Sequence, residues 1–190
     1  MKSIKYFFIA SLLICAKASL ALSLENYENC RQAMTDISDS SNSQNWKQLK
    51  IAASRLQSEC TFMRTPQSLS EEVNYHFGMA ELMLGNYESS FQVANRCISA
   101  YYYSPLCHML ITTYYYTLKD WNKFKESYES GFAVSNVVAK RLNADLRNLE
   151  KMNPKTESIN IRIAEIKKDL FNANSTIEYL NQVRKDLRSK

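Results

Sequence analysis

An all-α fold is predicted for this chain, on three observations. Only three glycines and three prolines occur in 190 residues, so breaks are few and the segments between them run to about a dozen residues or more, helix rather than strand length. Apolar residues in those segments recur at helical spacing. The last segment carries a heptad pattern over about four repeats, the signature of a long helix that packs along its length.

The chain opens on MKSIKYFFIASLLICAKASLALS, where Lys2 and Lys5 precede the apolar run Tyr6 to Ala16 and small residues follow around Ser19 and Ala21. Charge, apolar run and small residues in that order predict a secretory signal peptide over 1–21. The run is shorter than the ~20 residues that span a bilayer, and no later stretch approaches that length, so no transmembrane segment is expected after signal removal. Cys15 closes the run as a lipid-attachment cysteine would, but Ile14 stands where that processing wants a small residue, so Cys15 is expected to leave with the signal. Residues 1–21 hold three lysines and no acid, so 24 basic residues become 21 against 19 acids and the net charge falls from +5 to about +2. That balance gives no case for nucleic-acid binding.

Cys30, Cys60, Cys97 and Cys107 remain. In an exported chain an even number of cysteines predicts two disulfides over buried free thiols, and of the three pairings that four cysteines allow, sequence neighbours make Cys30 with Cys60 and Cys97 with Cys107 the default. No metal site or cofactor is expected, because no cysteine pair has close ligand spacing and the histidines are His76 and His108 alone.

Helices are expected near 24–38, 45–60, 69–84, 87–103, 105–118, 121–152 and 154–188. A long turn, SDSSNSQ, ends the first, and Asn45 with Trp46 opens the second. Ser68 and Glu71 have capping-box spacing for the third. Gly85 and Asn86 end it, before Tyr87. Ser104 with Pro105 is an N-cap followed by a first-turn proline, and Asn153 with Pro154 reads the same way. Lys119 and Asp120 break the chain before Trp121, and Gly131 is a place where the sixth helix could break.

The dipeptides "NW" at Asn45, "NY" at Asn86 and "DW" at Asp120 repeat a polar cap followed by an aromatic residue. Tyr87 and Trp121 are 34 residues apart, the period of the tetratricopeptide helix-turn-helix unit. The segment YHFGMAELMLGNYESSFQVANRCISA resembles that family most. Phe77-Gly78 resembles its large-then-small pair, Gly85-Asn86-Tyr87 its inter-helix turn, and Ser90 and Cys97 its small second-helix positions. The next unit keeps Tyr115, Trp121 and Tyr128 but has Thr112 for the glycine and Phe124 for the small residue. The resemblance covers roughly 24–135 and implies tetratricopeptide-like antiparallel hairpins in a short α-solenoid, with a TPR-like domain over 22–135 and a long C-terminal helical segment over 136–190.

The resemblance also implies that the first helix of each unit lines a partner-binding groove. Carried onto this chain, that face comprises Tyr75, His76, Met79 and Met83, then Met109, Thr113 and Tyr116. Methionine adapts its shape and tyrosine offers area with a polar tip, although Tyr75, Met79 and Met83 fit a core face equally well. Of the two runs of three tyrosines, only Tyr116 falls on this groove; Tyr101 to Tyr103 are expected to pack a corner.

In the last segment Ile159, Ile163, Ile166, Leu170, Ala173, Ile177, Leu180, Arg184 and Leu187 alternate spacings of four and three, a heptad seam that Ala173 and Arg184 dilute. Val138, Leu142, Leu149 and Met152 offer a partner seam for an antiparallel hairpin; pairing with a second copy, giving a homo-oligomer, is the rival. From Lys140 onward twelve basic and seven acidic residues give a net +5, which leaves 22–139 at about −3.

His76 has no cysteine or carboxylate in a motif-like relation to it, no serine sits in a nucleophile elbow, and no glycine loop cradles phosphate, so no catalytic residue is nominated. The expected function is therefore that of an exported, periplasmic or secreted, non-catalytic adapter or assembly factor. It would bind a peptide segment or helix of another protein, for example in a pilus or secretion system. The alternative is an effector or immunity-type inhibitor that blocks one target.

Overall fold

In the computed structural model, residues 25–61, 66–153 and 156–188 are described. The expected signal peptide, and the side chains of Pro66, Ser68 and residues 186–190 including Leu187, lie outside the described residues. The described residues form seven α-helices and no strand: α1 (25–42), α2 (Trp46–Glu59), α3 (Pro66–Met83), α4 (Tyr87–Ala100), α5 (Pro105–Thr117), α6 (Trp121–Glu150) and α7 (Glu157–Arg188).

The three polar-aromatic dipeptides mark three turns of one geometry. The residue before each cap is left-handed: Gln44 at φ 54°, Gly85 at 82° and Lys119 at 59°. In each, the cap N–H reaches back five residues: Asn45 N to Ser40 O (2.8 Å), Asn86 N to Glu81 O (2.9 Å) and Asp120 N to Tyr115 O (3.1 Å). This is the Schellman ending, which satisfies carbonyls that a helix terminus would otherwise leave without donors. Asn45 and Asp120 then accept from Gln48 N and Lys123 N and so cap the following helix; Asn86 makes no side-chain cap bond.

Four expected boundaries move. α1 continues to residue 42 through the serine-rich stretch, because Ser40 bonds the Asp36 carbonyl and Ser43 Oγ the Asp39 carbonyl at 2.6 Å; back-bonded serines do not need a turn. α3 starts at Pro66, a residue suited to a first turn, so Ser68 lies inside the helix and is not its N-cap, and Glu71 accepts from Gln67 Nε2 at 2.9 Å. α4 stops at Ala100, with Tyr101 as its C-cap. α7 starts at Glu157 behind Thr156, whose hydroxyl takes the Ile159 N–H at 3.4 Å, so Asn153 is not the cap. Gly131 does not break α6.

Contacts divide the chain into two compact units, with the divide between Val73 and Asn74, inside α3. Residue 135 lies in the middle of α6. In the first unit the Cys30–Cys60 disulfide joins α1 to the end of α2, and Leu49, Ala52, Ala53 and Leu56 bury the inner face of α2. Arg55 bonds both Asp36 on α1 and Glu59, and these carboxylates hold its pKa above the usual value.

In the second unit neighbouring helices pack in sequence, α4 on α5, α5 on α6 and α6 on α7, with α7 also touching α5. The core cluster is Leu82, Val93, Ala94, Leu110, Ile111 and Tyr114. Gly78 permits its tightest approach: a Cβ there would lie 2.5 Å from Leu110 Cδ2, and Ser90 Oγ donates to the Gly78 carbonyl at 2.9 Å. The large-small pair and small Ser90 read from the sequence do meet across α3 and α4. The Cys97–Cys107 disulfide staples α4 to α5 beneath the tyrosine corner. Two disulfides among the described residues suit an oxidising compartment; no described helix is long and apolar enough to cross a membrane.

α6 and α7 form the long C-terminal hairpin, 30 and 32 residues or about 45 and 48 Å at 1.5 Å per residue. They run antiparallel: Gly131 faces Leu180, and Glu150 pairs with Lys167 at 3.5 Å. On the heptad seam Ile163, Ile166, Ala173 and Leu180 are buried, Ile159, Leu170 and Ile177 half-buried and Arg184 exposed.

Candidate functional site

The groove residues read from the sequence all lie in the second unit, and the structure gathers three of them. Tyr75 on α3, Thr113 on α5 and Tyr116 at the end of α5 come together around Tyr179, a residue of α7. Thr113 Oγ1 hydrogen-bonds the Tyr179 hydroxyl at 3.0 Å and donates to the Met109 carbonyl at 2.7 Å. Burial pushes the Tyr75 phenol above its ordinary pKa, with Tyr179 adding to the effect, and burial likewise raises Tyr179, close enough to Tyr116 to feel it.

The remaining groove residues, and Tyr75 on its other side, have further surroundings. Tyr75 and Met79 pack against the core cluster, and the His76 ring meets Tyr75 edge-on at 5.1 Å. Met83, at the end of α3, is 47% exposed. Met109 is half-buried on α5. Tyr179 of α7 thus meets Thr113 and lies near Tyr75 and Tyr116.

Tyr116 belongs to a second aromatic system that the sequence reading missed. Its ring lies 6.0 Å from Trp121 and 5.7 Å from Phe124. From there rings continue along α6: Trp121 to Phe124 at 6.2 Å, Phe124 to Tyr128 at 6.0 Å, and Tyr128 stacked on Phe132 at 6.0 Å. These residues follow spacings of three, four and four, so they stand on one face of the helix, one per turn. They line a groove of about 620 Å³ whose α7 wall includes Arg184. Trp121 is 48% exposed.

The stripe was visible in the sequence as W-x2-F-x3-Y-x3-F. In the sequence the same Trp121 and Tyr128 coincide with aromatic positions of the repeat and Arg184 interrupts the heptad seam, which masks the stripe.

Among the described residues no cluster of histidine, cysteine and carboxylate residues could hold a metal ion. His108 is buried, its Nε2–H donating to the Tyr102 carbonyl at 2.8 Å, and burial lowers its pKa. Tyr102 and Tyr103 pack edge to face at 5.3 Å, and Tyr102 meets His108 at 5.5 Å. The corner is thus braced from inside by His108, while both tyrosines keep much of their surface in solvent.

Searches of protein-family models, curated proteins and solved structures found no match for the chain.

Proposed function

We propose that this chain is a degenerate tetratricopeptide-like helical stack, exported to the periplasm, that works as a non-catalytic adapter or assembly factor for a protein complex of the cell envelope. The observation that carries the reading is the exposure of Met83 at the end of α3 and of Trp121, whose ring meets Tyr116 at the end of α5. These are large, adaptable or aromatic side chains, roughly half of Met83 and of Trp121 in solvent, on rigid helices. Tryptophan, tyrosine and methionine of this kind are the residues enriched where proteins bind proteins. The repeated turn geometry and the Gly78–Ser90 approach support the tetratricopeptide-like part. The signal-like first residues and the two disulfides support export.

A cross-linked pull-down of the full-length protein from the periplasm tests it, comparing wild type with Met83→Lys and with Tyr116→Ala. Loss of a specific partner from either variant at unchanged melting temperature is the expected result. Recovery of the same partner by both variants would remove the surface from the account, and a wild type that retains no partner would remove the adapter function.

A further inference from the structure

The α6 groove has features that a protein-contact surface does not require. Its wall is the aromatic ladder Trp121, Phe124, Tyr128 and Phe132, eleven residues or about 16 Å from end to end. Its volume of about 620 Å³ falls within the range of small-ligand sites.

Two cations stand on its walls, Lys125 from α6 and Arg184 from α7, against one anion, Glu129. Among the described residues neither cation has an ion-pair or hydrogen-bond partner, although other exposed basic residues of the chain, Arg162 and Lys167 for example, do pair with acids. The Tyr128 hydroxyl is buried, so the ring presents its apolar face to the groove.

We infer that this groove binds a small amphipathic anion, a long-chain carboxylate whose apolar body lies along the α6 rings and whose carboxylate is countered by Lys125 and Arg184. The net charge of the wall, +1 from two cations and one anion, selects an anionic head over a cationic one. The continuous ring surface takes an unbranched apolar body by area burial, without hydrogen-bond demands along its length. The site shares Trp121 with the proposed adapter surface, but it is tested at Lys125, Glu129 and Arg184 and the adapter reading at Met83 and Tyr116, so either can fail while the other stands.

The test uses the full-length protein with Trp46→Phe, which leaves Trp121 as the only tryptophan. Dodecanoate, dodecanol and dodecyltrimethylammonium are titrated below their self-association concentrations while Trp121 emission is followed. Dodecanoate is expected to give a saturable change and to bind at least about tenfold more tightly than the ammonium compound. Lys125→Ala and Arg184→Ala should each weaken dodecanoate about threefold to fivefold, the scale of a solvent-accessible ion pair, and leave dodecanol unaffected. Glu129→Gln should tighten it.

All three charged positions are exposed, so the variants are expected to fold, and near-UV circular dichroism checks that they do. Equal binding of the cationic and anionic probes, or charge variants that leave dodecanoate affinity unchanged, would overturn the assignment. So would a groove already closed by a second copy, seen as a dimer in sedimentation that dodecanoate does not dissociate. A groove that ignores dodecanoate but is saturated by an acidic amphipathic peptide would overturn it in favour of a protein surface.

Discussion

Two faces of the second unit are built from the same kinds of side chain and end in opposite states. On the α3–α5 face, Tyr75, Thr113 and Tyr116 converge, and α7 supplies Tyr179 to meet the Thr113 hydroxyl. On the α6 face, four rings run in line, and among the described residues α7 supplies only Arg184, which pairs with nothing there. One face is met at Thr113 by Tyr179 of its own chain, and the other is met from α7, among the described residues, by Arg184 alone. Aromatic content alone therefore does not distinguish a binding face from a packed one. The facing helix does, through the polar tips that it satisfies or leaves unsatisfied.

The contrast can be broken at its hinge. Leu180 is fully buried where α7 crosses Gly131 of α6, at a point that His108 of α5 also approaches. Leu180→Ala should cost about 3 kcal/mol in chemical denaturation, within the span for a buried leucine truncated to alanine. It should also disturb both faces together.

Tyr179→Phe should act on one face only. It removes the bond to Thr113 and keeps the ring, so about 1 kcal/mol of stability is expected to go, with no change in ligand response at Trp121.

A smaller effect of opposite sign is expected at the turn between α5 and α6, which joins the two faces. Lys119 holds φ 59° without being glycine. Lys119→Gly should relieve the left-handed strain and raise the melting temperature, by an amount that corresponds to about 1 kcal/mol at most. Gly85, already glycine at the equivalent turn, shows what that position accommodates without strain.

The weakest effect concerns pH. Burial lowers the pKa of His108 below that of an unfolded histidine, about 6.5, so the folded state binds fewer protons than the unfolded state. The stability contribution of the neutral ring is complete above about pH 6.5 and is lost as the pH falls through the lowered folded value. Melting temperatures measured downward from pH 7 should decline, and His108→Gln should flatten the decline.

Much of the fold could be read in the sequence because its signals are local. The dipeptides at Asn45, Asn86 and Asp120 mark turns that share hydrogen bonds and handedness, and the cysteine neighbours pair in order. The hairpin partner of the last seam was also legible, since Val138, Leu142 and Leu149 follow its spacing and are half-buried on α6, whereas Met152 lies past the end of α6 and is exposed. Where reading failed, a competing local bond decided the outcome. Ser40 and Ser43 extended α1 by bonding backward, and Thr156 capped α7 in place of Asn153.

The site was less legible, for a different reason. Tyr179 sits between seam positions Ile177 and Leu180, so a reading that asks only which residues face the seam passes over it. That it meets Thr113, 66 residues away, depends on how far α7 reaches along α5, which no local pattern encodes. Arg184 interrupts the seam for the same reason that it matters: it faces the groove instead.

The most direct test of the contrast is a backbone amide chemical-shift map of the full-length protein titrated with dodecanoate. Shifts confined to α6 between Trp121 and Ala133 and to α7 around Arg184, with Tyr75, Thr113 and Tyr179 unmoved, are the predicted result. Shifts centred on Tyr75, Thr113 and Tyr179 would contradict it, because the face closed by Tyr179 would then be the one that opens to ligand.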